Sequence, residues 1–286
     1  MSVALLAVLL GLFSAVTLAA ANLSVKAGSD ILMARSILQL SAAILVLPAI
    51  FLLPPPDMAT WYALLFAVPV HFIYQLALIG ALKHGDLSLV FPVMRGAAPL
   101  LTGLLAWAVL GEALSPLAMA GLLISTAAVF WFALPKAGTR LLAHPDAKAL
   151  GFAVLTAAFI AAYNVTDARG VRVAPSPFTF IAWLFLLDCI GVTTLALWRR
   201  RRLYLPIVRQ KWRYGVAGAF LSILSYGAAL YAFTLVETAR VSALRETAVV
   251  FAAIFGSWFL KEQMGRRRIL AACILAAGLA LLQFSR

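Results

Sequence analysis

Apolar runs of about twenty residues recur along this chain from one end to the other, and they leave room for few folds. An α-helix rises 1.5 Å per residue, so about 20 apolar residues are needed to cross a hydrocarbon core about 30 Å thick. Ten such windows, separated by proline, glycine and charged clusters, fall at about 2–20, 31–53, 60–82, 87–110, 114–134, 149–168, 177–198, 214–235, 239–260 and 268–285. None alternates apolar and polar residues over about 10 positions, as a membrane barrel strand does. The expected fold class is therefore an all-α integral membrane protein with ten transmembrane helices. Composition agrees: of 286 residues, 64% are hydrophobic and 12% charged, too little polar surface to clothe a soluble domain of this size. The first run, "SVALLAVLLGLFSAVTLAA", has no basic segment before it and is expected to be retained as a span.

The formal net charge of +13 does not indicate a nucleic-acid partner, because the basic residues stand in short gaps between the apolar runs. They read instead as topological signals. The gaps after windows one, three, five, seven and nine, with their flanks, hold Lys26, Arg35, Lys83, Lys136, Arg140, Lys148, Arg199 to Arg202, Arg209, Lys211, Arg213, Lys261 and Arg266 to Arg268. The other side holds Arg169, Arg172, Arg240 and Arg286. The crowded side is expected to be cytoplasmic, which puts both termini on the periplasmic face of a bacterial-type inner membrane. Cys189 and Cys273 lie inside apolar runs without a metal-binding or disulfide pattern around them.

Two arginines, Arg95 and Arg245, remain inside the windows. A shift of 150 residues superposes Arg95 on Arg245, Leu110 on Leu260 and Glu112 on Glu262. A shift of 151 brings His71, Tyr74 and Gln75 over Ser222, Ser225 and Tyr226. The chain thus reads as a duplication, residues 1–136 and 137–286, of five spans each. An odd number of spans per half forces the copies into opposite orientations around a central cavity, an arrangement found in secondary transporters with a site near the midplane.

The twin span ends "AWAVLGE" and "SWFLKE", the segment "RGAAPLL", the second copy's "LRETAVVFAAIFG" and "AAYNVTDARGVR" together resemble the EamA-type ten-helix carriers of the drug/metabolite transporter superfamily. The resemblance covers essentially the whole chain. It implies a basket of helices around a cavity lined chiefly by the third, fourth, eighth and ninth spans, and it leaves the substrate open among amino acids, sugars, nucleotides and toxic compounds.

A charged side chain near the bilayer centre costs roughly 2.5–3.5 kcal/mol on insertion scales, so those that occur face an interior and find partners. Arg95 and Arg245 are expected to face the cavity and bind a carboxylate or phosphate oxyanion, for which a planar, permanently charged fork is suited. The competing readings are snorkelling and an internal ion pair with Asp188 or Glu246. Glu246, about 100° around the helix from Arg245, is a candidate for a substrate ammonium or for proton coupling, and Asp188, midway along "FTFIAWLFLLDCIGVTTLAL", is the second coupling candidate. His71, Tyr74 and Gln75 share one helix face, as do Ser222, Ser225 and Tyr226; both faces are candidate cavity linings, joined by Tyr163, Asn164 and Asp167 towards the end of the sixth window. Glu112 and Glu262 read as helix-end contacts.

No GxxxxGK[ST] loop supports an ATP-driven pump, and no HExxH or GxSxG motif supports a hydrolase. The expected function is secondary, alternating-access transport of a small amino-acid-like or anionic metabolite, outward across the membrane. The alternatives are a multidrug or cation exporter and, further off, a lipid-headgroup flippase. No enzyme activity, metal or cofactor is expected, with a proton as the candidate coupling ion. Membrane lipids and a small-molecule substrate are the expected partners, and a monomer suffices.

Overall fold

The computed structural model describes residues 2–25, 30–85, 87–133, 147–251, 254 and 266–285. These residues form helices and no strand. In chain order the helices are α1 (Val3–Val25), α2 (Ile31–Ile50), α3 (Met58–His84), α4 (Leu87–Leu110), α5 (Pro116–Ala133), α6 (Ala147–Val173), α7 (Pro177–Arg200), α8 (Tyr204–Ala232), α9 (Thr238–Arg245) and α10 (Arg266–Phe284). Eight of them are long and apolar enough to cross a membrane, and Pro116–Phe132 is a shorter apolar helix. The window at 239–260 is seen as helix over Thr238–Arg245 and again at 248–251; its remainder lies largely outside the described residues, as does Glu262.

Local signals set the helix ends. Asp57 caps α3, its carboxylate accepting the Thr60 backbone N–H at 2.8 Å and the Thr60 hydroxyl at 2.6 Å. Ser176 caps α7 by accepting from the Phe178 N–H, with Pro177 at the first helical position, where its missing donor costs nothing. Asp30 caps α2 through the Met33 N–H and pairs with Arg200 at 2.8 Å, holding the end of α7 to the start of α2. After α4 the chain turns at Gly111, whose φ of 71° lies in the left-handed region that glycine enters without strain.

The outer surface of the bundle is apolar: Leu9, Ile44, Phe66, Leu104, Ile190 and Phe220 are all exposed. Such a surface is stable against lipid and not against water. Inside, small residues allow close approach. Gly121 of α5 and Gly278 of α10 meet at a crossing where a Cβ on Gly121 would lie 2.5 Å from the Leu282 nitrogen and 2.7 Å from the Gly278 carbonyl oxygen. The principal helix pairings are α1 with α8, α3 with α6, α2 with α7, α5 with α10 and α4 with α6.

Two features depart from the sequence expectation. The helix starting at Tyr204 begins ten residues before the expected boundary at 214, taking in the basic stretch around Arg209 and Lys211. The ninth window is not one uninterrupted helix. Helix α9 ends at Arg245, and Glu246 and Thr247 form a turn in which N–H groups reach back three residues: Glu246 to Ala243 and Thr247 to Leu244, both at 3.1 Å, and Val250 to Thr247 at 2.9 Å. Such tightening takes a helix out of its α register, and here it falls on the charged pair itself.

Candidate functional site

Charged and polar side chains from seven helices meet inside the bundle in two groups of opposite character. The cationic group lies on α4 and α9. Arg95 pairs with Glu246, its NH1 donating to Oε1 at 3.2 Å. Glu246 therefore makes its hydrogen-bonded ion pair with the arginine of the other half, while the charge of its neighbour Arg245 also acts on it. A buried pair of this kind persists only because each charge is neutralised by the other. Arg245 is buried as well, with its guanidinium 4.9 Å from the centre of the Tyr226 ring. Such a contact contributes about 2 kcal/mol when desolvated. No described carboxylate lies within ion-pair distance of Arg245, and its Nε has no hydrogen-bond partner among the described residues.

The acidic group joins α3, α6, α7 and α8. His71 Nε2 lies 2.7 Å from Asp167 Oδ2, and the opposite ring nitrogen, Nδ1, lies 3.9 Å from Asp188 Oδ2. The imidazole thus stands between two carboxylates. Tyr226 donates its hydroxyl to Asp167 at 2.5 Å, and Gln39 of α2 donates to Asp188 at 2.7 Å. The second oxygens, Asp167 Oδ1 and Asp188 Oδ1, accept no hydrogen bond from the described residues. The side chains of Arg95 and Asp188 keep 13% and 15% of their surface exposed, whereas that of Asp167 keeps none. Each group therefore has one charged member that is not sealed.

Three tyrosines separate the groups. Tyr163 stacks on His71 at 4.7 Å between ring centres and meets Tyr74 and Tyr226 edge-on. Tyr226 touches both groups, its hydroxyl on Asp167 and its ring face under Arg245. Arg35, in the second turn of α2, donates to the Tyr74 hydroxyl at 3.3 Å.

The structure gathers Arg95, Arg245, Glu246, His71, Tyr74, Tyr163, Tyr226 and Asp188 in one region. The other candidates stand apart from it in different ways. Asn164 donates to Thr102 of α4 and Ser242 of α9, both at 3.2 Å, tying three helices together. Ser225 faces α1, donating to the Ser14 carbonyl at 2.7 Å. Gln75 is buried with its Oε1 unbonded by the described residues, and Ser222 is half-buried one turn before Tyr226. Sequence reasoning offered Asp167 with Tyr163 and Asn164 as cavity lining, but left out Gln39 and Arg35 as site residues. Arg35 had been assigned to a connecting gap, but it stands four residues before Gln39 on the same helix face, a spacing that was available to find both.

At the membrane edge, Glu112 makes the helix-end contact its position implied. Its carboxylate accepts the Thr238 N–H at 2.7 Å, capping α9 from the end of α4, and pairs with Arg172 at 2.5 Å. Arg240, paired with Glu237 at 2.9 Å, donates to the Leu282, Gln283 and Ser285 carbonyls at the end of α10. There a cation complements the helix dipole. An apolar groove of about 290 Å³ between α1, α9 and α10 contains none of the candidate residues. Among the described residues, no group of three or more His, Cys, Asp or Glu side chains is disposed to hold a metal ion.

An all-helical bundle with a lipid-compatible surface and buried charges near its centre defines a multi-pass membrane protein. Residues 147–284 match the model of the EamA-like transporter family, in agreement, over that half, with the resemblance read from the sequence. A crystal structure of another protein aligns with 98% of this chain and 94% of its own at a TM-score of 0.74 and 19% identity, which shows a shared fold. No curated protein sequence matches the chain.

Proposed function

We propose that this protein is a secondary transporter moving a small amino-acid-like metabolite outward across the inner membrane by alternating access. The observation that carries the reading is Arg245: a buried guanidinium held over Tyr226, without a carboxylate partner among the described residues, close to a separate pair of carboxylates. An α-amino acid carries the complementary charges. Its carboxylate suits Arg245, with Arg95 as a second cation, and its ammonium suits the unsealed Asp188. Glu246, the residue first expected to read the amine, is occupied by Arg95.

Two inverted halves around the site are supported by the packing. Exchanging each helix of residues 1–136 with its counterpart in 137–286 turns the α1–α8 pairing into α6–α3, and leaves α2–α7, α5–α10 and α4–α9 unchanged. Gln39 and Asp188, 149 positions apart, touch one another, as do Arg95 and Glu246, 151 apart. Equivalent residues meet in this way near a pseudo-twofold axis.

The buried carboxylates Asp167 and Asp188 also favour a second reading, a cation exporter. Counterflow in proteoliposomes with amino acids, aminophosphonates, sugars and quaternary amines separates the two. Amino acids are expected to be carried by the parent and lost in folded Arg245→Gln. Transport of quaternary amines alone, unaffected by Arg245→Gln, would establish the cation exporter instead, and lipid scrambling without solute counterflow would establish a flippase.

A further inference from the structure

The acidic group has an occupant of its own built into it. His71 is in contact with Asp167 through Nε2 and lies 3.9 Å from Asp188 through Nδ1. A neutral imidazole carries one N–H and serves only one of these carboxylates; the imidazolium carries two and faces both. The groups facing His71 are Asp167 and Tyr163 from α6, Asp188 from α7 and Tyr226 from α8, with the charge of Arg245 on α9 acting from further away. Arg35 of α2 acts on Asp188. With a carboxylate facing each ring nitrogen, the imidazolium is the form in which both N–H groups meet an acidic partner.

We infer that the His71–Asp167–Asp188 cluster is a proton site that competes with the substrate ammonium, so that the carrier exchanges one proton for each zwitterion. The inference rests on the amino-acid reading above. Asp188 is the shared element: it is the unsealed carboxylate, held on Oδ2 by Gln39, with Oδ1 unengaged by the described residues. An ammonium arriving at Asp188 removes the attraction that holds the second N–H of His71 and adds a positive charge beside it. The proton then leaves Nδ1 for water on the side to which the site is open. When the substrate departs on the opposite side, water there returns a proton to Nδ1. One turn carries a zwitterion of zero net charge one way and one H⁺ the other, so an inward proton gradient drives export and the cycle moves charge. Binding linkage requires the reciprocal effect, a weaker affinity for substrate at lower pH.

The test is proton release on binding. Detergent-solubilised full-length protein in weak buffer at pH 7 receives an equimolar mixture of the uncharged common L-amino acids, pre-adjusted to the same pH, with occupancy followed in parallel by equilibrium dialysis of the labelled mixture. The expected result is close to one proton released per amino acid bound. His71→Gln is expected to bind the mixture with no proton release, and Asp188→Asn to release fewer protons and bind more weakly. Binding by the parent with no release, with proton uptake, or with a requirement for sodium overturns the proton-exchange inference and leaves the amino-acid reading standing. No binding of the mixture by folded parent protein overturns both. If His71→Gln does not fold, Asp188→Asn together with the pH dependence of parent affinity decides: affinity independent of pH between 5 and 8 contradicts the exchange.

Discussion

Arg95 and Glu246 are each tolerated inside the bundle because the other is there. Removing one partner of a buried pair leaves an uncompensated charge and costs about 3–5 kcal/mol, whereas replacing both is often neutral. Arg95→Met is therefore expected to lower stability in detergent by about 3 kcal/mol, and adding Glu246→Gln in the same chain to recover most of it, as read from thermal unfolding of the purified variants. A double variant no more stable than Arg95→Met would remove the ion pair from the account. The two arginines were legible in the sequence because a charge within an apolar run is conspicuous, and Glu246 was among the ion-pair partners weighed for them; the partners in the acidic group were harder to find. Contact between His71 and Asp167 spans 96 positions and that between Gln39 and Asp188 spans 149, so no local periodicity announces either. Asp167, one helical turn after Tyr163, was legible as a possible cavity residue, but only the approach of α3 and α8 makes it the centre of the acidic group.

Among the elements, the crossing of α5 and α10 has the least room to adjust, because a Cβ on Gly121 meets backbone and not a movable side chain. Gly121→Val is expected to cost about 1–3 kcal/mol through overpacking. Gly151 of α6 has nothing within 4 Å of an added Cβ, so Gly151→Ala is expected to be neutral or to stabilise by up to about 1 kcal/mol; melting temperatures of the two variants check both. The start of α3 carries a pH dependence. Hydrogen bonds from the Thr60 hydroxyl and backbone N–H hold the Asp57 carboxyl below its ordinary value of 3.8. A depressed carboxylate stabilises the native state above its unfolded pKa, and that contribution is lost as pH falls through the native value. Protection of the Thr60 amide in the first turn of α3, taken relative to its intrinsic exchange rate at each pH, is expected to fall on acidification below the ordinary value of 3.8 in the parent and to stay constant over the same range in Asp57→Asn. Helix ends were less legible than helix positions. The early start of α8 at Tyr204 and the interruption at Glu246 both fall where polar residues continue or break a helix for reasons of packing, and hydropathy windows do not register either.

At the scale of the whole molecule, the apolar runs were sufficient to reach a helical membrane bundle, and segments such as "LRETAVVFAAIFG" and "AAYNVTDARGVR" carried the resemblance to the EamA-like family that residues 147–284 match. The substrate was not legible, because it depends on which charges neutralise one another once the helices are packed. That packing leaves a cationic group at Arg245 and an acidic group at Asp188, with tyrosines between them, and the account rests on one ligand spanning both. The direct measurement is competition in counterflow: for an amino acid carried by the reconstituted protein, inhibition by that amino acid is compared with inhibition by its decarboxylated amine and by its deaminated acid. The account predicts strong inhibition by the intact zwitterion and at least about tenfold weaker inhibition by either half, since each leaves a buried charged group without its partner. An amine or an acid that competes as well as the amino acid would show that only one group is read, and would contradict the two-pole site.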